Sequence, residues 1–317
     1  MLAVAPMMDW TDRHCRYFHR QLSPSARLFT EMVSTGAIIH GDKPRHLDFS
    51  SAEHPVVLQL GGGNPEDLAQ SAEIARQWGY DEVNLNVGCP SDRVQKNKIG
   101  ACLMLEPDLV QRCIASMMAA VDIPVSVKCR LGVDEHDSYD DLRNFVDKVA
   151  ESGCRIFIVH ARKALLQGLS PKANREIPSL KYEWVYRLKQ DFSEINVTIN
   201  GGIRDLDAVR EHLQHVDGVM IGRAAYQNPW LLVDCERLLF NADHELDRDS
   251  VVQQMVQYSK NNPDVPLKHI SRHMLGLFAS MPGARVWRRY ISENAHLPGA
   301  DASVLEDALL AMRQRVA

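Results

Sequence analysis

A cysteine in a glycine-proline turn is the first residue whose setting indicates chemistry. Cys89 lies in Asn86-Val87-Gly88-Cys89-Pro90. A free cysteine is usually a small buried hydrophobic residue, whereas a turn of this composition presents its thiol. Three basic residues follow: Arg93, Lys96 and Lys98. We interpret Cys89 as a reactive thiol, and its spacing leaves both a nucleophile and a general acid open.

Polar residues also close several apolar runs of the chain. Gln59, Lys128 and His160 each stand at or near the end of such a run. A buried lysine is costly unless it meets an anion or forms a Schiff base. Lys128 therefore leaves two alternatives, an anionic ligand and an aldolase-like reaction. His160 and Gln59 can both donate hydrogen bonds to a phosphate or an electron-rich ring.

Two later runs end in small residues, in Asn200-Gly201-Gly202 and in Gly222-Arg223. Glycines let backbone N–H groups approach an anion closely, and the arginine adds positive charge. The pattern predicts a phosphate cradle, with a pair of ordinary glycine turns as the alternative. Combined with the lysine, histidine and glutamine, it indicates an aromatic phosphate such as FMN.

Eight short apolar runs alternate with amphipathic stretches, which is typical of repeated strand-loop-helix units. Eight such units favour an α/β fold, a closed TIM (β/α)8 barrel, over an open doubly wound sheet. In a parallel barrel the functional residues gather at the carboxyl ends of the strands, and phosphate often binds after strands 7 and 8. The predicted strands are 2–6, 28–33, 56–60, 83–87, 125–128, 156–160, 197–200 and 219–222.

Helical spacing of apolar residues predicts helices between these strands and throughout the C-terminal part. The strand pattern stops near Leu232, so we expect a barrel domain over 1–232 and a small all-helical domain over 233–317. The predicted barrel helices are 67–78, 107–120, 139–151, 184–189 and 206–213. The predicted C-terminal helices are 250–260, 268–279, 284–295 and 302–316.

The charge is unevenly distributed along a chain whose net charge is −5. Residues 160–189 carry seven Lys or Arg against two acids. A second basic group lies on the C-terminal helices: Lys268, Arg272, Arg285, Arg288 and Arg289. These segments could meet a polyanion, although a solvated surface of mixed charge is the alternative.

The composition, 45% hydrophobic and 24% charged, is typical of globular proteins. Neither a basic leader nor a membrane-spanning run is evident, so we expect a cytoplasmic protein without membrane contact. Seven scattered cysteines without a C-x-x-C pair suggest reduced thiols and no metal site.

Long blocks of the sequence resemble the tRNA-dihydrouridine synthases over nearly the whole chain, most of all the A-type bacterial members. The resemblance implies an FMN-containing barrel with a helical tRNA-binding domain, using NADPH to reduce D-loop uridines, for the A type at positions 20 and 20a. No motif residue departs from the pattern. The blocks are Ala5-Pro6-Met7-Met8-Asp9-Trp10-Thr11-Asp12-Arg13, Asn84-Leu85-Asn86-Val87-Gly88-Cys89-Pro90-Ser91, His160-Ala161-Arg162-Lys163 and Gly168-Leu169-Ser170-Pro171.

The resemblance also implies roles for individual residues of a monomer. Cys89 would give a proton to uridine C5 after hydride transfer from flavin N5 to C6, since a thiol is largely protonated at neutral pH. Asn86 would contact the uridine, and Lys172 and Arg175 the tRNA. Arg285 and Arg288 are the further tRNA contacts that we predict. The flavin would be held by Pro6, Met7, Met8, Gln59, Lys128, His160, Asn200, Gly201, Gly202, Gly222 and Arg223.

Three other functions compete with this one. A dihydroorotate-type dehydrogenase also sets a cysteine beside FMN, but it would act on a free pyrimidine and not need a basic helical domain. An RNA-binding protein on a decayed barrel would keep the basic faces and lose the cradle and the thiol. A Schiff-base aldolase would use Lys128 and hold no flavin.

Overall fold

Eight parallel strands close into a barrel in chain order, β1 to β8, with β8 paired to β1. The computed structural model describes residues 1–91, 98–243 and 245–316. Each predicted apolar run is a strand, which confirms the TIM barrel and rules out the open sheet. The strands are Leu2–Val4, Arg27–Ser34, Val56–Gly61, Glu82–Val87, Val125–Arg130, Ile156–His160, Asn196–Asn200 and Gly218–Ile221.

Helices follow the strands and then continue without strands to the end of the described chain. The predicted barrel helices are all present, two of them with the predicted bounds. In the described chain, α1 to α14 are Arg13–Leu22, Thr35–His40, Lys43–Leu47, Pro65–Trp78, Pro107–Ala120, Tyr139–Ala150, Tyr182–Asp191, Leu206–Leu213, Arg223–Gln227, Leu231–Leu239, Arg248–Lys260, Leu267–Ser271, Ala284–Asn294 and Ser303–Val316. Short 3₁₀ helices cover Ser51–Glu53, Gly100–Leu105, Ala173–Arg175 and Arg272–Met274.

The side chains inside the barrel fall into an apolar and a polar half. Ala3, Phe29, Val57, Ile158 and Met220 pack together as one inner cluster. Strand β4 instead carries buried polar residues at every second position, which places them on one face. They are Glu82, Asn84 and Asn86.

The C-terminal helices are tied to the barrel at two places. Glu236 of α10 accepts hydrogen bonds from the hydroxyls of Ser23 and Ser25, at 2.5 and 2.6 Å. Asp12, in the loop after β1, pairs with Arg272 and His273. The predicted domain boundary at 232 falls inside α10, and the division into two domains stays a prediction.

One predicted helix is shorter than expected. Residues 268–279 form α12, which ends at Ser271, and then the 3₁₀ helix Arg272–Met274. Two causes are visible: Arg272 and His273 both turn to the Asp12 carboxylate, and Gly276 approaches Gln227 so closely that a Cβ there would lie 2.5 Å from its carbonyl oxygen.

Within the described ranges, none of the helices has the length and apolar character that crossing a bilayer requires. The same residues contain no group of three or more His, Cys, Asp or Glu side chains placed to hold a metal ion.

Candidate active site

The Cys89 turn is held by hydrogen bonds from both sides. The side-chain oxygen of Asn86 accepts the backbone N–H groups of Gly88 and Cys89, at 3.1 and 3.0 Å. The carbonyl oxygen of Cys89 accepts the N–H of Ala101 at 2.9 Å. Because the backbone is fixed while the thiol is only half-buried, the thiol is presented at the barrel mouth, as the glycine-proline setting predicts.

Arg130 completes this support, and the sequence analysis missed it. Its Nε donates to the Gly88 carbonyl oxygen at 2.9 Å, and one terminal nitrogen donates to the carbonyl oxygens of Lys163 and Asn174, both at 2.9 Å. Burial lowers the pKa of Arg130 to about 10. A signal was present: Arg130 lies two residues after Lys128, so both side chains leave β5 on the same face.

Lys128 projects across the mouth to the opposite side of the barrel. Its Nζ donates to the side-chain oxygen of Asn200 on β7 at 3.1 Å, and it makes no ion pair with a described acid. Burial, followed by the positive charge of Arg130, lowers the pKa of Lys128 to about 8. A cation without a carboxylate partner suits an anionic ligand.

His160 and Arg162 each leave a buried nitrogen without a hydrogen-bond partner among the described residues. These atoms are His160 Nδ1 and Arg162 Nε. Burial, and then the nearby Arg130 and Lys128, hold the pKa of His160 well below its usual value, so the ring is neutral. Since buried polar groups are normally paired, the two nitrogens indicate a ligand with acceptor atoms beside β6.

The two glycines after β7 form a turn that only glycine fits. Gly201 and Gly202 have φ of 112° and 74°, and a Cβ on Gly202 would lie 2.5 Å from the Tyr182 hydroxyl oxygen. That hydroxyl donates to the Gly201 carbonyl oxygen at 2.8 Å. The turn leaves room for a ligand to approach the backbone, and Tyr182 is a second residue that the sequence analysis did not identify.

Arg223, predicted to contact a phosphate after β8, begins α9 and forms an ion pair with Glu176. Gly222 precedes it, and a Cβ there would touch only Ala5 at 3.8 Å. The arginine is therefore at the predicted end of the barrel, but it already has one anionic partner.

The loop after β1 places three further predicted flavin contacts at the mouth. Pro6 and Met7 are partly buried, and Met8 is 58% exposed. The Met7 carbonyl oxygen accepts the N–H groups of Trp10 and Thr11. Met8 is thus an exposed apolar side chain on a loop whose backbone is internally bonded.

Gln59 and Asn86 are bonded to each other rather than free at the mouth. The Asn86 side-chain nitrogen donates to the Gln59 side-chain oxygen at 2.9 Å. Both side-chain oxygens are therefore occupied by protein groups. A contact from Asn86 to uridine, which stays a prediction, would use the second hydrogen of its amide nitrogen.

The predicted tRNA contacts lie on two exposed surfaces. Lys172 and Arg175 flank the 3₁₀ turn between β6 and α7, and Arg285 and Arg288 lie on α13. Arg272 does not belong with them, because Asp12 already pairs with it. Of the basic neighbours predicted for Cys89, Arg93 and Lys96 lie outside the described residues.

A closed parallel barrel with a thiol, unpaired cations and a glycine cradle at its mouth defines a barrel enzyme with an anion-binding active site. The dihydrouridine synthase (Dus) profile matches residues 3–313. The chain belongs to this family. Its reaction is a reduction, so the protein is an oxidoreductase, and the aldolase alternative at Lys128 is excluded.

Curated relatives match over nearly their whole length. A protein of Vibrio parahaemolyticus is 57% identical over 312 residues, covering 97% of this chain and 95% of the relative. One of Salmonella typhimurium is 57% identical over 311 residues, covering 97% and 93%. One of Xanthomonas campestris pv. campestris is 55% identical over 309 residues, covering 97% and 92%. Each is named tRNA-dihydrouridine(20/20a) synthase.

Proposed function

We propose that this protein reduces uridines 20 and 20a of tRNA to 5,6-dihydrouridine, with FMN as cofactor and NADPH as reductant. The observation that carries the proposal is the presented thiol of Cys89 beside a mouth of cations that lack carboxylate partners. The names of the curated relatives supply the two positions. A free pyrimidine substrate would leave the exposed basic residues of the loop after β6 and of α13 without a role.

The residues of the mouth fit FMN. His160 Nδ1 and Arg162 Nε are buried and unpartnered, as expected of groups that face acceptor atoms of a ligand. The Gly201-Gly202 turn admits a phosphate, and Lys128 offers a positive charge. Bound there, FMN would supply the hydride that is added to uridine C6. The other proposed contacts are Pro6, Met7, Met8, Gln59, Asn200, Gly222 and Arg223.

Cys89 completes the reduction by protonating the substrate. The C5=C6 bond of uracil is conjugated with the C4 carbonyl, so hydride addition at C6 leaves enolate character at C5. The S–H bond of Cys89 breaks and a C5–H bond forms, which leaves a thiolate that regains its proton from solvent. The held backbone of the turn keeps this donor in place, which is what general acid catalysis requires.

The substrate base has to leave its stack to reach the mouth, at a cost of a few kcal/mol. Contacts elsewhere on the tRNA offset this cost. Lys172 and Arg175 are exposed beside the mouth, and Arg285 and Arg288 are exposed on α13. Cationic side chains of this kind hold phosphates without reading sequence, so the proposal assigns them to the tRNA backbone.

Replacing Cys89 by alanine tests the proposal. We expect Cys89→Ala to retain FMN and NADPH oxidation, while dihydrouridine formation at positions 20 and 20a falls by about 10²- to 10⁴-fold, the usual contribution of a general acid. Flavin absorbance, NADPH consumption and mass-spectrometric mapping of modified tRNA measure the three quantities separately.

Cys102→Ala is the matched control, because Cys102 is the other half-buried cysteine. It should modify tRNA at the rate of the unchanged protein. A normal yield from Cys89→Ala would refute the role of the thiol. Purified protein without flavin absorbance, or without dihydrouridine in the treated tRNA, would refute the function itself.

A further inference from the structure

Four buried polar side chains continue inward from Asn86 through the barrel. Asn86 donates to Gln59, whose nitrogen donates to the Asn84 oxygen at 2.8 Å. The Asn84 nitrogen donates to the Ser126 hydroxyl oxygen at 2.8 Å, and that hydroxyl donates to Glu82 at 2.5 Å. We call these five residues the amide chain. None of them is more than 9% exposed.

The register of the barrel explains why these side chains meet. Asn84 on β4 lies opposite Gln59 on β3 and opposite Ser126 on β5. The three therefore form one inward-facing layer. Glu82 and Asn86 lie two residues below and above Asn84 on the same face of β4. The amide chain thus runs from the lower end of the barrel to the Cys89 turn.

Donor and acceptor chemistry gives the amide chain a single direction. A backbone N–H can only donate, so the Asn86 atom that faces Gly88 and Cys89 has to be oxygen. Its nitrogen then faces Gln59, whose facing atom has to be oxygen as well. The same reasoning fixes the Asn84 amide.

The lower end of the amide chain is fixed by charge. Ser126 accepts a hydrogen bond from Asn84, so its own hydrogen is directed to the Glu82 carboxylate, which also accepts from Arg27. A carboxylate offers only acceptors when ionised. It therefore sets the direction that every amide above it follows.

We propose that the amide chain is a positioning device for the proton donor: it fixes the orientation of the Asn86 amide and thereby the backbone N–H groups that hold Cys89. This inference rests on the proposed function. Ser126, Asn84 and Glu82 are positioning residues, because they act through Asn86 and touch no reacting atom. Buried polar networks of this kind define one conformation only when every member is satisfied.

Ser126→Ala breaks the amide chain far from the mouth. We expect FMN content and flavin reduction by NADPH to stay unchanged, while the rate of uridine reduction falls about ten-fold with little change in the KM for tRNA, since small misplacement of a catalytic group reduces rate. Alkylation of Cys89 by iodoacetamide, followed by peptide mass spectrometry, should become about three-fold faster because the turn is released.

Two other serine variants separate positioning from stability. Ser126→Thr keeps the hydroxyl and should restore both the rate and the slow alkylation. Ser71→Ala is the matched control, because the Ser71 hydroxyl is equally buried but has no hydrogen-bond partner among the described residues. It should leave uridine reduction and alkylation of Cys89 unchanged.

Asn84→Leu serves if Ser126→Ala does not fold. It has a similar volume and leaves the bond from Ser126 to Glu82 intact, yet it should slow uridine reduction in the same way. The inference is overturned if a folded Ser126→Ala or Asn84→Leu protein reduces uridine and alkylates at the rates of the unchanged protein. That outcome leaves the proposed function standing, whereas inactivity of the unchanged protein would remove the function alone, because alkylation still tests the amide chain.

Discussion

The cations at the barrel mouth and those on α13 are held in opposite ways. Lys128 and Arg130 donate to neutral oxygens, and burial lowers the pKa of both. Arg285 and Arg288 are exposed and make no ion pair with a described acid. The mouth therefore pays its desolvation cost at folding and gains strong, local interactions, whereas α13 offers a screened charge that acts at a distance.

The largest expected effect comes from removing the most connected cation of the mouth. Arg130→Met leaves three carbonyl oxygens without their donor, which should lower the free energy of unfolding by about 3 kcal/mol and also slow uridine reduction. Urea denaturation measures the first effect. Arg155→Met is the control, because Arg155 also donates to two carbonyl oxygens but is exposed. Equal losses in the two variants would show that burial does not distinguish the mouth.

The glycine cradle should respond next. Gly202→Ala adds a Cβ at 2.5 Å from the Tyr182 hydroxyl and strains a positive φ, so we expect FMN affinity to fall about ten-fold and stability by about 1–2 kcal/mol. Fluorescence titration of the apoprotein with FMN measures the affinity. Gly168→Ala has a similar φ of 78° with open space around it, and it should reduce stability without weakening FMN binding. Weaker binding in both would contradict the cradle.

A pH titration tests the mouth charge more gently. The pKa of Lys128 is lowered to about 8, so the side chain is charged below this pH and becomes neutral above it. Affinity for the FMN anion should therefore decrease by several-fold, about three- to ten-fold, between pH 7 and 9. His160 does not contribute, because its pKa lies well below this range.

Lys128→Met provides the comparison for that titration. This variant should bind FMN more weakly and show the same affinity at both pH values. If the pH dependence persists without the lysine, another group at the mouth is responsible.

The smallest effects are expected on α13. Arg285→Ala or Arg288→Ala should weaken tRNA binding about three-fold and reduce the slope of log affinity against log salt by about one, while the flavin spectrum stays unchanged. Filter binding at several salt concentrations measures the slope. Arg289→Ala should change it less, because Glu293 pairs with Arg289. An unchanged slope in the Arg285→Ala/Arg288→Ala double variant would separate α13 from the tRNA.

Much of the barrel and its mouth could be predicted because the period of a strand is local. Alternation and run length gave all eight strands, and the strand-end rule selected Lys128, His160 and Asn200, which the structure places at one mouth. The same rule applied two residues further along β5 would have found Arg130. The end of α12 was missed because its cause, the pairing of Arg272 and His273 with Asp12, joins residues 260 positions apart.

The sequence by itself determined the barrel, the family and a presented thiol at Cys89, because strand period, turn residues and motif blocks are properties of neighbouring residues. Only the tertiary structure decided what holds that thiol. Asn84 meets Gln59 and Ser126 through strand register, and the register follows from closing the whole barrel. The direction of the amide chain is likewise a property of the closed barrel, since it requires a carboxylate at one end and backbone N–H groups at the other.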